Sequence, residues 1–245
     1  MNTIEIGYQP VRFLSRTRKI ETTHPEKWDE LTPAQLIAIA CVYKGTISDD
    51  GLISSMLSIP RRIVRKMAPY HKLKLIQLVE FIKDTTPYHE FILKTLGSFT
   101  APKPRLKDET FGTFIFAESY FSRYNEKANP EDLNRFIACW YRHGKFEEKD
   151  LEKNALYISA HDLAKREAIF INYQLIREFL VASYPHVFKT NSEAVKKDEK
   201  STWLDVFDAI VGEDLKDQDK YAELPLSAVL RNLDKRIQKN QENES

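Results

Sequence analysis

A block rich in aromatic residues, Phe111–Phe188, limits what this chain can fold into more than any other feature. It contains 16 of the chain's 28 Phe, Tyr and Trp residues in 78 of the 245 positions. Three stretches of the block carry apolar residues at helical spacing: Phe111–Tyr124, Pro130–His143 and His161–Tyr184. Because aromatic side chains bury more surface than other residues, this block should hold the main core. The sequence therefore predicts an all-α fold organised around these helices.

The third stretch ends in a helix that is apolar on almost every side. Within Ala168–Tyr184 only Arg177 and Glu178 are charged, and a helix that is apolar all round is buried all round. We expect it to be the central helix of its lobe. Arginine in such surroundings is usually paired and stacked on aromatic rings. For Arg142, Asn172 and Arg177 the prediction is structural bracing, with a ligand-facing role as the alternative.

The N-terminal part of the chain has the marks of several short helices. The alternation in Thr3–Leu14 allows at most a minor strand or an extended arm. Farther on, Thr32, Pro33 and Gln35 form a capping box with proline at the first helical position, which predicts a helix that ends at Gly45. Three further short helices are predicted, at Asp49–Leu57, Pro60–Met67 and His71–Lys83.

Two changes in composition divide the chain into lobes. Residues 85–107 contain three prolines and several small residues, which is typical of a loop between lobes. The segment after Pro185 has few apolar residues and is interpreted as a linker. The prediction is two helical lobes, at 1–106 and 107–190, followed by a linker and C-terminal helical extension at 191–245. The helices expected in the extension are Trp203–Gly212 and one that begins at Pro225.

The charge balance and the small number of glycines exclude some classes of function. The formal net charge is +1, and the chain has only 7 glycines. A balanced chain has no global attraction to nucleic acid or to an anionic membrane, and few glycines argue against a glycine-rich phosphate loop. The two cysteines, Cys41 and Cys139, stand alone and are expected to be buried free thiols. No apolar run has the length of a secretory signal core or of a membrane span.

No set of residues has the spacing of a catalytic, metal or cofactor site. The six histidines never lie within four residues of one another, so a His-Glu-x-x-His pattern does not occur. No nucleophile elbow, kinase motif or phosphate loop is present. The adjacent acids Asp49-Asp50 and Glu147-Glu148 would point about 100° apart on a helix, so they do not share a site. We therefore expect a non-enzymatic protein without a cofactor or a metal.

A cluster of basic residues is the strongest candidate for a working surface. Its members are Arg61, Arg62, Arg65, Lys66, Lys72 and Lys74. Residues 61–94 hold eight Lys or Arg against three acids, which would suit nucleic acid, but the sequence places no aromatic stacking partner on the same face. A solvated helix face is the simplest interpretation. Residues 193–223 carry ten acids against five bases. A contact between the basic and the acidic segment, within one chain or by self-association, would therefore explain both segments equally well.

Seven short stretches carry a resemblance to a known family. They are Trp28–Leu36, Phe111–Tyr120, Leu133–Arg142, Ile171–Arg177, Tyr184–Phe188, Trp203–Phe207 and Leu224–Leu233. Together they resemble a family of uncharacterised helical proteins encoded by tailed phages and prophages of Bacteroidetes-type hosts. The resemblance implies a role in virion morphogenesis, and the closest analogy is to tail assembly chaperones, which hold tape-measure or tube proteins before assembly. The family supplies no catalytic residues.

The leading hypothesis is a non-enzymatic phage assembly factor that acts through contacts with phage structural or tail proteins. The amphipathic helix after Pro225 and the linker before it would suit capture of a partner helix. The alternatives are a minor structural protein of the virion and a nucleic-acid-associated protein that uses the basic cluster at 61–74. Nucleic acid is the less favoured partner, and no membrane contact is expected. The protein would act in the host cytoplasm or in association with the virion.

Overall fold

The computed structural model of this chain describes residues 2–8, 16–188, 203–212 and 218–244. The described residues are mostly helical and include two small antiparallel sheets. The predicted mainly helical character is therefore confirmed, and the sheets are additions to the predicted all-α class. The chain separates into two compact units, Met1–Tyr88 and His89–Ser245. None of the described helices combines the length and the apolar composition that crossing a membrane requires.

The first unit opens with a β-hairpin rather than with a lone arm. Strand β1, Asn2–Tyr8, pairs antiparallel along its whole length with strand β2, Arg18–His24. The predicted strand or arm over Thr3–Leu14 thus supplies one paired strand, and its residues 9–14 lie outside the described part of the chain. Periodicity does not reveal β2, because Ile20 is the only large apolar residue in it.

The hairpin packs on a small apolar cluster that the helices of the same unit build. Ile6 is the buried residue of β1, and Ile4 and Ile20 pack beside it. The other buried members of this cluster are Ile53, Leu57, Ile59, Val64, Met67 and Leu75. An isolated two-stranded hairpin is at best marginally stable in water. The hairpin and the helices beneath it therefore stabilise each other.

Short α-helices and 3-10 turns make up the rest of the described first unit. They are α1 at Pro33–Tyr43, α2 at Asp49–Met56, α3 at Arg61–Val64, α4 at Pro69–Gln77, and turns at Trp28–Glu30 and Glu80–Lys83. The predicted capping box is confirmed: the backbone N of Gln35 donates to Thr32 Oγ1 at 3.3 Å, and Thr32 N donates to Gln35 Oε1 at 2.8 Å. Gln35 Nε2 also donates to the carbonyl of Met56 at 2.9 Å, which ties α1 to the end of α2.

The second unit begins before the aromatic block. Residues 89–106 contain a small hairpin of two strands, β3 at Thr95–Leu96 and β4 at Phe99–Thr100. The buried hydroxyl of Tyr141 donates to the carbonyl of Leu93 at 2.5 Å, which anchors this segment on the aromatic helices. The structure thus divides the chain between 88 and 89, whereas the predicted lobes meet between 106 and 107. The prolines mark a loop, but they do not show which unit the loop joins.

The aromatic block forms the core of the second unit, as its spacing predicts. Its helices are α5 at Phe111–Lys127, α6 at Pro130–Trp140, α7 at Leu151–Ser159 and α8 at Leu163–Ser183. The ring of Phe121 lies 4.9 Å from that of Phe170, and the ring of Phe136 lies 4.9 Å from that of Tyr173. These rings interlock α5, α6 and α8 at the separations that favour aromatic pairs.

Helix α7 is one of the elements of the second unit that the sequence did not predict. It begins within 143–154, a polar stretch that the sequence favours as a separator between two helices. Its buried residues, Leu151, Ala155 and Ile158, follow helical spacing. The charged residues around them dominate the local composition, so the apolar stripe is thin and easily missed.

The C-terminal extension packs against the start of α5. It contains α9 at Trp203–Val211, α10 at Gln218–Ala222 and α11 at Leu226–Glu244. Two backbone hydrogen bonds of 2.9 Å join it to the chain at the start of α5: Phe111 N donates to Leu224 O, and Leu226 N donates to Glu109 O. The predicted linker residues 191–202 and the acidic residues 213–217 lie outside the described part of the chain.

Helix α11 does not present an exposed apolar stripe. Its apolar residues Leu226, Val229 and Leu230 are buried. Near the middle of the helix, the carboxylate of Asp234 accepts a hydrogen bond of 2.8 Å from the backbone N of His186. The helix is therefore docked within the second unit, and capture of a partner by its apolar face loses its support.

Candidate functional site

The basic cluster lies on the exposed side of α3 and α4 in the first unit. Helix α3 begins after Pro60 and buries Val64, and Met67 and Leu75 are buried farther along. Because these apolar residues pack into the unit's core, the residues between them are left in solvent. We define the basic surface by its exposed members, which are Arg61, Arg62, Arg65, Lys66, Tyr70, Leu73 and Lys74.

Lys72 does not belong to this surface, although the sequence placed it in the basic cluster. Its side chain is only 23% exposed, and its Nζ lies 2.8 Å from Oδ1 of Asp50. The same Nζ donates to Oδ2 of Asp50 at 3.1 Å. This ion pair joins α4 to α2, and the carboxylate of Asp50 neutralises the charge of Lys72. The two residues are 22 positions apart, so no local sequence pattern could reveal the pair.

Two large apolar side chains of α4 are exposed and lie next to the cluster's lysines in sequence, and the spacing of apolar residues did not indicate either of them. Tyr70 is 62% exposed and Leu73 is 57% exposed. Lys74 Nζ lies 4.7 Å from the centre of the Tyr70 ring, in a cation–π contact one turn along α4. The signal that could have found Tyr70 is Pro69, which occupies the first position of α4. The predicted helix began at His71 and so left Tyr70 outside it.

The arginines of this surface form no ion pair with an acid in the described part of the chain. Arg61 Nη2 donates to the hydroxyl of Ser48 at 3.0 Å, which is a neutral partner. Among the residues that the structure describes, Arg62 and Arg65 form no ion pair. Unpaired cations on one face create a positive potential that attracts an acidic partner and speeds association.

The polar residues of the aromatic block behave differently, because they are paired inside the second unit. The Tyr173 hydroxyl donates to Glu118 Oε1 at 2.8 Å, and Arg177 Nε donates to Glu118 Oε2 at 3.1 Å. Burial raises the pKa of Tyr173 well above its ordinary value, and the negative charge of Glu118 adds to this. The guanidinium of Arg177 also lies 5.7 Å from the ring of Phe121. The predicted bracing role of Arg177 is therefore confirmed.

Arg142 is a second brace, at the junction of the β4 strand and α6. Its Nη2 lies 2.5 Å from Oε2 of Glu109, and both side chains are almost fully buried. Its Nη1 donates to the carbonyl oxygens of Cys139 and Trp140. Burial raises the pKa of Glu109, while the charge of Arg142 acts in the opposite direction. The bracing prediction for Arg142 is confirmed.

Asn172 completes this set of internal braces. Its Oδ1 accepts a hydrogen bond from the backbone N of Ile92 at 2.6 Å, and its Nδ2 donates to the carbonyl of Glu90 at 3.0 Å. One side chain on α8 thus satisfies two backbone groups of the segment before β3. A buried amide with both ends used in this way positions a chain segment, as the bracing interpretation predicts.

A shallow groove lies between α6 and α7 in the second unit. Its volume is about 330 Å³, and Arg135 and Glu152 line it together with the exposed Leu156. Arg135 binds Glu152 through Nε at 2.8 Å and Nη2 at 3.2 Å. The charges of the groove therefore satisfy each other. Within the described residues, no three His, Cys, Asp or Glu side chains are grouped as a metal site requires.

Comparison of the chain with protein-family models, with curated proteins and with solved structures finds no match. The resemblance to phage proteins therefore stays a prediction that rests on the seven stretches of sequence. The basic surface is identified by its exposure and its charge alone.

Proposed function

We propose that this protein is a non-enzymatic assembly factor that acts through protein–protein contacts made by the basic surface. The observation that carries the proposal is the exposure of Tyr70 and Leu73, two large apolar side chains that flank or adjoin Lys74 on α4. Arg62 and Arg65, a few residues earlier in the chain, are exposed and form no ion pair among the described residues. Arginine and tyrosine are the residue types that contribute most at protein interfaces. The partner that fits is a protein with an acidic surface and an apolar centre.

The phage context of the proposal comes from the sequence resemblance. In that context the partner is a structural or tail protein of a tailed phage, and the role is that of a tail assembly chaperone in the host cytoplasm. A chaperone must hold its client and then release it. Charged contacts at a surface of this kind give fast, salt-sensitive association, which suits temporary binding.

Co-expression with the tail proteins of a Bacteroidetes-type tailed phage tests the proposal. Wild type should elute with a tail protein in size-exclusion chromatography, and the R62E/R65E variant should lose the complex. The matched control is K153E/K165E, which makes the same charge change at two exposed lysines of the second unit. A wild type that captures no tail protein, or a complex that R62E/R65E leaves intact, would contradict the proposal.

A nucleic-acid-associated role is the second candidate, and Tyr70 is the observation that favours it. The ring of Tyr70 beside Lys74 supplies the stacking partner that the sequence had not placed on this face. Base stacking on such a ring is worth about 1–3 kcal/mol per base. A salt-dependent shift of labelled single-stranded DNA that both R62E/R65E and Y70L abolish would establish it. No shift for wild type at low salt removes it.

A minor structural component of the virion is the third candidate, and the location of the protein separates it from a chaperone. Mass spectrometry of purified particles should find a structural component at a fixed number of copies. A chaperone should be absent from the particles while it is present in the lysate of infected cells.

A further inference from the structure

A surface of opposite charge lies on the C-terminal extension of the second unit. Helix α9 turns Trp203 and Phe207 toward Phe111, with ring centres 6.4 Å and 6.1 Å from it. This orientation leaves Leu204 and Asp208, one turn apart, on the exposed side of the helix. Leu204 is 52% exposed.

Helix α10 adds a second acidic pair beside α9. Asp219 and Glu223 are exposed and one turn apart, and the exposed Leu224 follows them. A Cβ added at Gly112 of α5 would lie 3.1 Å from both the Cβ and the carbonyl oxygen of Ala222, so α10 is seated closely on α5. We define the acidic terminal surface by Leu204, Asp208, Asp219, Glu223 and Leu224.

The charges of this surface are also available to a partner. Among the residues that the structure describes, Asp208, Asp219 and Glu223 form no ion pair. The surface therefore presents three unpaired acids and two exposed leucines. The basic surface presents unpaired arginines with Tyr70 and Leu73. The two surfaces have opposite charge, and each exposes two large apolar side chains.

We propose that the basic surface of one copy of this chain binds the acidic terminal surface of a second copy. The inference rests on the proposed function in one respect, namely that the basic surface binds protein. Charge complementarity with exposed apolar contacts on both sides is the physical argument.

The contact joins two different surfaces, so it is heterologous and not a two-fold dimer. A bound pair still offers one free basic surface, on one copy, and one free acidic terminal surface, on the other. Association can then continue into a ring or an open chain. Since its charges lie at the protein surface, salt should weaken the contact strongly over the range in which the Debye length falls from about 10 Å to about 3 Å.

Two charge-reversal variants test the contact in the full-length chain. R62E/R65E reverses the basic surface and keeps the acidic one, whereas D208K/E223K reverses the acidic surface and keeps the basic one. Each variant alone should be a monomer of 28.6 kDa, because like charges then face each other. An equimolar mixture should form a species of at least twice that mass, because one intact surface of each kind is present and the two reversed surfaces also have opposite charge.

Light scattering coupled to size-exclusion chromatography measures these masses. Wild type should exceed the mass of one chain at low salt and high concentration, and it should return to one chain at high salt. K153E/K165E should behave as wild type, and circular dichroism should show that all variants are folded. A wild type that is monomeric at every concentration overturns the inference, as does a mixture of the two reversed variants that stays monomeric.

The same measurements separate this inference from the proposed function. A monomeric wild type that still captures a tail protein removes self-association alone. A wild type that self-associates and captures no tail protein removes the proposed assembly role alone. If the salt-dependent mass of wild type is also found for both reversed variants, the contact is made elsewhere and the inference is wrong.

Discussion

Two arginines of the second unit and one of the first differ in how their charge is used. Arg142 and Arg177 in the second unit form ion pairs with the buried carboxylates of Glu109 and Glu118. Arg62 in the first unit is exposed and unpaired among the described residues. The same residue type therefore stabilises the fold in one region and is available for binding in the other. Exposed arginines without an acidic partner therefore mark the surface on which a binding partner is to be sought.

Substitution of Arg142 should give the largest effect on stability. Arg142→Met leaves the Glu109 carboxylate buried without its partner, and breaking a buried pair from one side costs about 3–5 kcal/mol. Urea unfolding of Arg142→Met and of the matched control Arg65→Met measures the difference. The control should change the free energy of unfolding by less than about 0.5 kcal/mol. Equal losses in the two variants would erase the contrast between the units.

Two glycines give a second, smaller contrast between the units. Gly45 and Gly97 both have positive φ, at 67° and 60°. A Cβ at Gly97 would lie 2.3 Å from the Tyr157 hydroxyl, whereas a Cβ at Gly45 meets nothing within 4 Å. We expect Gly45→Ala to cost about 1 kcal/mol for the left-handed backbone and Gly97→Ala about 2–3 kcal/mol, because it adds a steric clash. If thermal unfolding shows the same loss of stability for both variants, the β3–β4 turn must move enough to relieve the steric clash at little cost.

At alkaline pH, the free energy of unfolding should depend on the ionisation of the buried tyrosines of the second unit. Burial raises the pKa of Tyr141 well above its ordinary value of 10.0. Since the folded pKa lies above the unfolded one, the stabilisation is complete below the unfolded pKa and is lost as the pH rises toward the folded pKa. The loss from this one group is at most about 1.4 kcal/mol per pH unit.

Tyr141→Phe measures that contribution directly. At neutral pH the variant should be less stable by about 1 kcal/mol, because the hydrogen bond to the Leu93 carbonyl is gone. Between about pH 10 and about pH 11 the unfolding free energy of the variant should fall less than that of wild type. The difference should be at most about 1.4 kcal/mol, the largest change that one titrating tyrosine gives over one pH unit. Parallel curves of unfolding free energy against pH for the two proteins would show that Tyr141 does not titrate with unfolding.

Substitutions on the basic surface should give the smallest effects on stability. Tyr70→Ala and Arg62→Ala remove exposed side chains and should each change the free energy of unfolding by less than about 0.5 kcal/mol. Their effect should appear in binding instead. A loss of more than about 2 kcal/mol for either variant would mean that its side chain stabilises the folded protein and is not mainly available for binding.

Local signals in the sequence predicted the elements that depend on neighbouring residues. Thr32 and Gln35 are three positions apart, and the cap they form is the predicted one. The aromatic spacing of α5, α6 and α8 likewise identifies the core, because helical packing repeats every three or four residues. These parts of the fold are determined by residues that lie close together in the sequence.

Features that depend on distant residues could not be predicted in this way. Strand β2 forms because β1 lies opposite to it, and its own composition is mostly polar. Lys72 looked like part of a basic cluster until the fold placed Asp50 beside it. The exposure of Tyr70 depends on where α4 begins and on which face the core covers. The candidate surface could therefore be located from the sequence, but its true members required the structure.

Capture of co-expressed phage tail proteins tests the central claim most directly. Wild type, R62E/R65E and K153E/K165E should be compared side by side at low salt, with the amount of co-eluting tail protein as the readout. We expect equal capture by wild type and K153E/K165E, and a loss of at least about tenfold for R62E/R65E, which corresponds to about 1.4 kcal/mol of binding free energy. Equal capture by all three proteins, or capture by none, would contradict it.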